Sequence, residues 1–231
     1  MGLHVRESGP AGEPAIVFLH GGGQSGRSWQ PVVERLHQYR CLAPDLPEHG
    51  QSVDAGPFDM ARAADAVADI IRPLVGAGRV HLVGHSLGAQ VATQLLATEP
   101  ELIDRAVLCG PVYNALPGVW LARILLRVTA GIPPSIRSVV AASSGFTVPA
   151  GVHRSDSPTL ILTGANESLF VRRSATVLSQ RMPNGVAGVA TGMTHNWPLS
   201  CPDLFSRTVA GWTSGTGLPP GIELVRLLPQ G

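Results

Sequence analysis

Short apolar runs bounded by glycine, proline and polar clusters recur along the chain, and longer stretches with helical spacing separate them. Ala15-Ile16-Val17-Phe18-Leu19 is the first such run, and it ends in His20-Gly21-Gly22-Gly23. Residues 40–43, 80–83, 104–109 and 159–164 are further runs of strand length with apolar centres. Residues 186–190 predict a last, weaker strand, and residues 3–8 predict a short edge strand from their alternation. Between these lie helical patterns. Residues 28–39 place Trp29, Val32, Val33 and Leu36 on one side, and residues 58–74 do the same with Ala63, Val67, Ile70 and Ile71. A helix is also expected from Ala89 onward, with Val91, Leu95 and Leu96 as its apolar positions. Two more run up to Arg181 and over residues 202–212. Strands alternating with helices imply an α/β fold: a mostly parallel central sheet with helices on both faces. Ligands in such folds sit beyond the carboxyl ends of the strands.

The alternation breaks between about residues 112 and 156. Val119, Ile124, Leu125 and Val128 give residues 118–130 a helical spacing, interrupted by Arg123 and Arg127, and residues 133–142 predict a second helix. The tail, about residues 213–231, contains several Gly and Pro residues and gives no clear element.

Composition narrows the class. One domain over residues 1–231 is expected at this length. Charged residues make up 14% and apolar residues 44%, which suits a globular chain with a substantial core. The net charge is +1 without a basic run, so neither nucleic acid nor an anionic membrane is an expected partner. Cys41, Cys109 and Cys201 are widely spaced and odd in number, which gives neither a disulfide framework nor a metal pattern. The start of the chain lacks an apolar signal core and no run is long enough to span a membrane, so the expectation is a cytoplasmic protein with a small-molecule substrate. Oligomeric state is not legible.

The candidate chemistry centres on Gly84-His85-Ser86-Leu87-Gly88, placed between a strand and a helix. A serine hydroxyl is a weak nucleophile until a base removes its proton. A sharp strand-to-helix turn lifts it clear of the sheet, and glycines two before and two after relieve the crowding. The competing reading is a glycine-flanked serine that only caps a helix.

This motif resembles the nucleophile elbow of the α/β-hydrolase family. The resemblance extends from about Ala15 to Trp212. It implies the α/β-hydrolase fold, with residues 112–156 as a small helical cap over the site. It also implies a serine hydrolase of small carboxylic esters or related acyl substrates, working through an acyl-enzyme without metal or organic cofactor. The backbone N–H groups of Gly22 and Leu87 would form the oxyanion hole. His195, in a glycine-containing loop between the last strand and helix, would be the base. The family's acid falls between nucleophile and histidine. Glu167, three residues past Gly164, stands in the usual place, although aspartate is commoner there, and capping of the next helix is the alternative role. Glu99 and Glu101 lie at the far end of a helix, while Asp104 and Asp156 precede their strands. Asp45 and His49 come before the serine, the wrong chain order for a triad, and read as loop structure. The segment around them resembles the family's Gly-His-Gly loop, with Glu48 in place of the first glycine. Trp29, Trp120 and Trp197 are the candidate substrate contacts. Two other uses of the same fold stay open: C–C hydrolysis, perhydrolysis or lyase chemistry with the same triad, or a non-catalytic receptor for a small ligand.

Overall fold

Alternation along each central strand sends neighbouring side chains into opposite faces of one sheet, and both faces are apolar. In the computed structural model, which describes residues 2–11, 14–113 and 134–225, the strands are β1 (Val5–Ser8), β2 (Ala15–Leu19), β3 (Arg40–Pro44), β4 (Val80–His85), β5 (Ile103–Cys109), β6 (Thr159–Gly164), β7 (Gly185–Ala190) and β8 (Ile222–Leu224). Their order is β1-β3-β2-β4-β5-β6-β7-β8. The two edge pairings, β1 with β3 and β7 with β8, are antiparallel, and the pairings between them are parallel. This is the mostly parallel α/β architecture expected from the alternation.

Val17, Leu19, Leu82, Leu108 and Ile161 point to one face, where they pack under α2 (Met60–Ile71), α3 (Leu87–Thr98) and α5 (Leu169–Arg181). Ile16, Phe18, Val83, Val107 and Leu162 point to the other face, against α1 (Gln30–Val33), α6 (Trp197–Ser200) and α7 (Pro202–Ser214). The remaining described α-helix, α4 (Pro134–Ser144), packs Val139 and Ala142 against the first of these two clusters.

Three expectations change. The helix expected over 28–39 is a 3₁₀ turn, Gly26–Trp29, followed by the single turn α1. Arg35 and Leu36 then bond three residues back rather than four, a tighter path that the adjacent β-branched Val32 and Val33 favour over a continuous helix. The helix expected over 58–74 is α2 alone, capped by the Asp59 side chain, which accepts from Arg62 N. Residues 72–77 continue as 3₁₀. The tail contributes β8, where Ile222 pairs with Ala190 at the sheet edge.

The C-terminal end of the segment expected to form the cap packs on the core instead. Residues 150–154 form a 3₁₀ turn whose Val152 is buried in the core. Arg154 Nη2 donates to Ala97 O at 3.1 Å, which anchors the turn at the far end of α3 from Ser86. The helix expected over 118–130, with Trp120, lies outside the described residues. Among the described residues, no helix is long and apolar enough to cross a membrane.

Candidate active site

Successive strand ends deliver Gly21 to Gly23 after β2, Ser86 after β4, Gly110 after β5, Glu167 after β6 and His195 after β7. Ser86 adopts φ 52 and ψ −112, a left-handed conformation that costs a non-glycine residue on the order of 1–3 kcal/mol. The neighbouring glycines are required. A Cβ at Gly84 would stand 2.6 Å from Gly88 O, and one at Gly88 would stand 2.1 Å from Leu19 O. The turn is tied down by Ser86 N, which donates to Cys109 O at 2.8 Å. Ser86 does not cap α3 with its side chain, so the hydroxyl is left for another use.

Glu167 and His195 meet. The His195 Nδ1–H donates to Glu167 Oε1, and Glu167 Oε2 accepts from Gly164 N at 2.6 Å. Capping of α5 falls instead to Ser168, whose side chain accepts from Val171 N. The two loops are laced together as well. Asn166 N donates to Met193 O at 2.9 Å, and Asn166 Nδ2 donates to Gly192 O at 3.1 Å. Gly110 leaves room for the pair, since a Cβ there would lie 2.7 Å from His195 Cε1. Among the described residues no hydrogen bond joins Ser86 Oγ to His195. Such contacts commonly close only around substrate.

Gly22, Leu87 and Ser86 share the wall of a cavity of about 450 Å³, together with Val139, Val140 and Ser144 of α4. The N–H groups of Gly22 and Leu87 have no backbone acceptor among the described residues, as donors aimed at a developing oxyanion require.

A model of the alpha/beta hydrolase fold family matches residues 14–128. MGS-M2, an alpha/beta hydrolase enzyme from a Medee basin deep-sea metagenome library, overlays with a TM-score of 0.79, covering 94% of this chain and 96% of that chain at 18% identity. A thermophilic esterase from Thermogutta terrifontis overlays with a TM-score of 0.77, covering 92% and 93% at 17% identity. The chain belongs to the alpha/beta hydrolase fold family. Lipase LipV of Mycobacterium tuberculosis is 36% identical over 116 residues, which cover 50% of this chain and 44% of that protein. The match therefore spans less than half the length of that curated relative.

Two expected contacts of this family member are corrected. Trp29 and Trp197 are both fully buried and pack against Phe205 in the face opposite α3, with ring centroids 5.5 and 5.2 Å from it. Neither has surface to offer a ligand; burying so large a ring in the core is worth more than leaving it at a pocket mouth. Trp120 lies outside the described residues. Asp45 and His49 are loop structure: Asp45 accepts from Gly26 N at 2.7 Å and Gln51 N at 2.8 Å, and His49 Nδ1–H donates to Pro47 O. Glu48 has φ 63, the conformation that explains a glycine in the family pattern, and its Oε2 accepts from Phe58 N and from Ser138 Oγ on α4. No group of His, Cys, Asp and Glu able to hold a metal occurs among the described residues.

Sequence reasoning missed the buried histidines that support the loops. His85 Nε2–H donates to the backbone O of His195 at 3.0 Å, and its ring lies 5.0 Å from that of His195. His20 Nε2 accepts from Leu46 N at 3.0 Å, which leaves its Nδ1–H to donate to Gly21 O at 2.8 Å. Burial holds both rings neutral and lowers each pKa from 6.5 to about 4. Between those values the unfolded chain binds more protons than the folded one, so stability falls as pH drops from 6.5 towards 4. The expected loss is on the order of 3 kcal/mol per histidine. Ring-proton NMR should find both still neutral at pH 5.5 while the melting temperature is already declining. A ring of either residue titrating near 6.5 refutes the assignment.

Proposed function

We propose that this chain is a serine hydrolase that cleaves small carboxylic esters through an acyl-enzyme. The observation that carries the reading is the placement at the carboxyl ends of β4, β6 and β7 of the strained Ser86, which opens into a cavity, and the Glu167–His195 pair. The family's lipase- and esterase-named members support the same reading.

Ser86 Oγ attacks the ester carbonyl carbon while His195 Nε2 takes its proton. Glu167 keeps the other ring proton on Nδ1 and stabilises the imidazolium. The N–H groups of Gly22 and Leu87 receive the tetrahedral oxyanion; one such donor is worth about 3 kcal/mol. His195 then protonates the leaving alkoxide. Water, deprotonated by the same histidine, releases the acid and regenerates Ser86.

The test is direct. The chain should hydrolyse p-nitrophenyl butyrate, and a fluorophosphonate probe should stop the reaction at one label per chain. Peptide mapping should place that label on Ser86. A chain that neither turns over the ester nor takes the probe is not a serine hydrolase.

A further inference from the structure

His85 is the chain neighbour of the nucleophile, yet its side chain serves other loops. On β4 it shares a face with Val83. It therefore enters the layer opposite α3, where its buried ring meets that of Trp29 edge-on at 6.4 Å. Two loops close over it, the one after β2 and the one after β7.

Each ring nitrogen faces one of these loops. Nε2–H donates to His195 O at 3.0 Å, and a proton on Nε2 leaves Nδ1 a bare lone pair in the neutral ring. Nδ1 is shielded from solvent and without a partner. It lies against Gly21, where a Cβ would stand 3.2 Å from it. The imidazole is thus wedged between the loop that carries the Gly22 N–H and the loop that carries His195, and its own backbone runs directly into Ser86.

The bond to His195 O has no substitute. Met193 O accepts from Asn166 N, and Thr194 O accepts from Trp197 N. His85 is the donor to His195 O, and no other reaches it among the described residues. The His195 ring is held at Nδ1 by Glu167. A single hydrogen bond fixes one ring atom and leaves the ring able to pivot about it. A second fixed point on the residue's own backbone removes that freedom, and His85 supplies it from the strand that also delivers Ser86. The two imidazoles lie 5.0 Å apart with 43° between their planes, which blocks movement of the His195 ring towards β4. Proton transfer from Ser86 Oγ to His195 Nε2 depends on that placement, since a misplacement of about 1 Å costs on the order of a hundredfold.

We propose that His85 is a positioning residue for the base: by tying the His195 backbone to the strand that carries Ser86, and by bearing on Gly21, it sets the spacing of nucleophile, base and oxyanion donor. It touches no reacting atom. The catalytic half of this rests on the serine-hydrolase reading above; the hold on His195 does not.

Three substitutions test it with p-nitrophenyl butyrate. His85→Gln carries an N–H at about the reach of Nε2. His85→Asn carries the same amide one methylene short, and His85→Phe keeps a ring without a donor. The Asn and Phe variants should lose kcat by roughly tenfold or more, with KM within about twofold, and fluorophosphonate labelling of Ser86 should slow by a similar factor. The Gln variant should recover to within about threefold of wild type. A readout independent of turnover accompanies these: the low-field proton resonance of His195 Nδ1–H, bonded to Glu167, should move or broaden in the Asn and Phe variants and return in the Gln variant. If the Phe variant does not fold, the comparison of Asn with Gln decides alone. Equal kinetics in the Asn and Gln variants, or a resonance unchanged in all three, overturns the positioning role while a labelled, active Ser86 leaves the esterase reading standing. A wild type without turnover or label removes the esterase reading, and the resonance comparison then still decides whether His85 holds His195.

Discussion

Ser86→Ala should abolish hydrolysis of p-nitrophenyl butyrate, with a loss on the order of a million-fold in turnover, and leave the protein folded. The reason for the second half is local. The Ser86 hydroxyl makes no capping bond to α3, so its removal strands no partner. The elbow conformation is set by backbone contacts, Ser86 N to Cys109 O and the close approaches at Gly84 and Gly88, all of which alanine keeps. A melting temperature within a few degrees of wild type, with ester turnover lowered by about that factor, is the expected pair of measurements. A folded variant that still turns over ester would remove the serine mechanism altogether.

Glu167→Gln should cut kcat by a hundredfold or more, with a smaller effect on KM, by analogy with triad-acid losses elsewhere. The Glu167 carboxylate accepts from two donors, His195 Nδ1–H and Gly164 N. A carboxamide has a single oxygen for them and must present its NH₂ to the other. If the oxygen stays with Gly164 N, the NH₂ faces Nδ1 and drives the histidine proton onto Nε2, which is then unable to accept from Ser86. If the oxygen turns to His195, Gly164 N–H is opposed by a donor. The side chain is 2% exposed, so water gives little relief. Steady-state kinetics together with the rate of fluorophosphonate labelling checks this. Wild-type rates in both would show that His195 does not depend on Glu167.

The strand frame was legible because β2, β4 and β6 are short runs of Val, Ile and Leu cut off by glycine, which leaves a helix of normal length no room. That Glu167 and His195 meet was legible for a related reason: each lies in the loop after a strand, and parallel strands bring their ends together however far apart they lie in the chain. What failed were questions of facing. The sequence shows Trp29 and Trp197 as large aromatics near strand ends, but nothing in it says which side of the sheet they enter. They entered the layer around Phe205. β8 was missed because a three-residue strand with one buried side chain leaves too short a pattern. The roles of His85 and Glu48 depend on carbonyls and hydroxyls supplied from far along the chain, and no local spacing encodes those meetings.

The hydrogen bond from His85 to His195 O closes a separation of 110 residues. At roughly 5–20 residues per second of synthesis, the Ser86 segment is made on the order of ten seconds before the His195 that the proposed mechanism pairs with it. During that interval β4 and α3 have β2 and β3 to pair and pack with, but β6 and β7, which carry Glu167 and His195, are missing. A serine without its base is chemically inert. On the proposed mechanism the nascent chain is therefore latent, unable to acylate itself on stray esters. Activity would switch on with docking of the last third of the sheet, so its appearance during refolding would report that docking rather than the formation of the elbow.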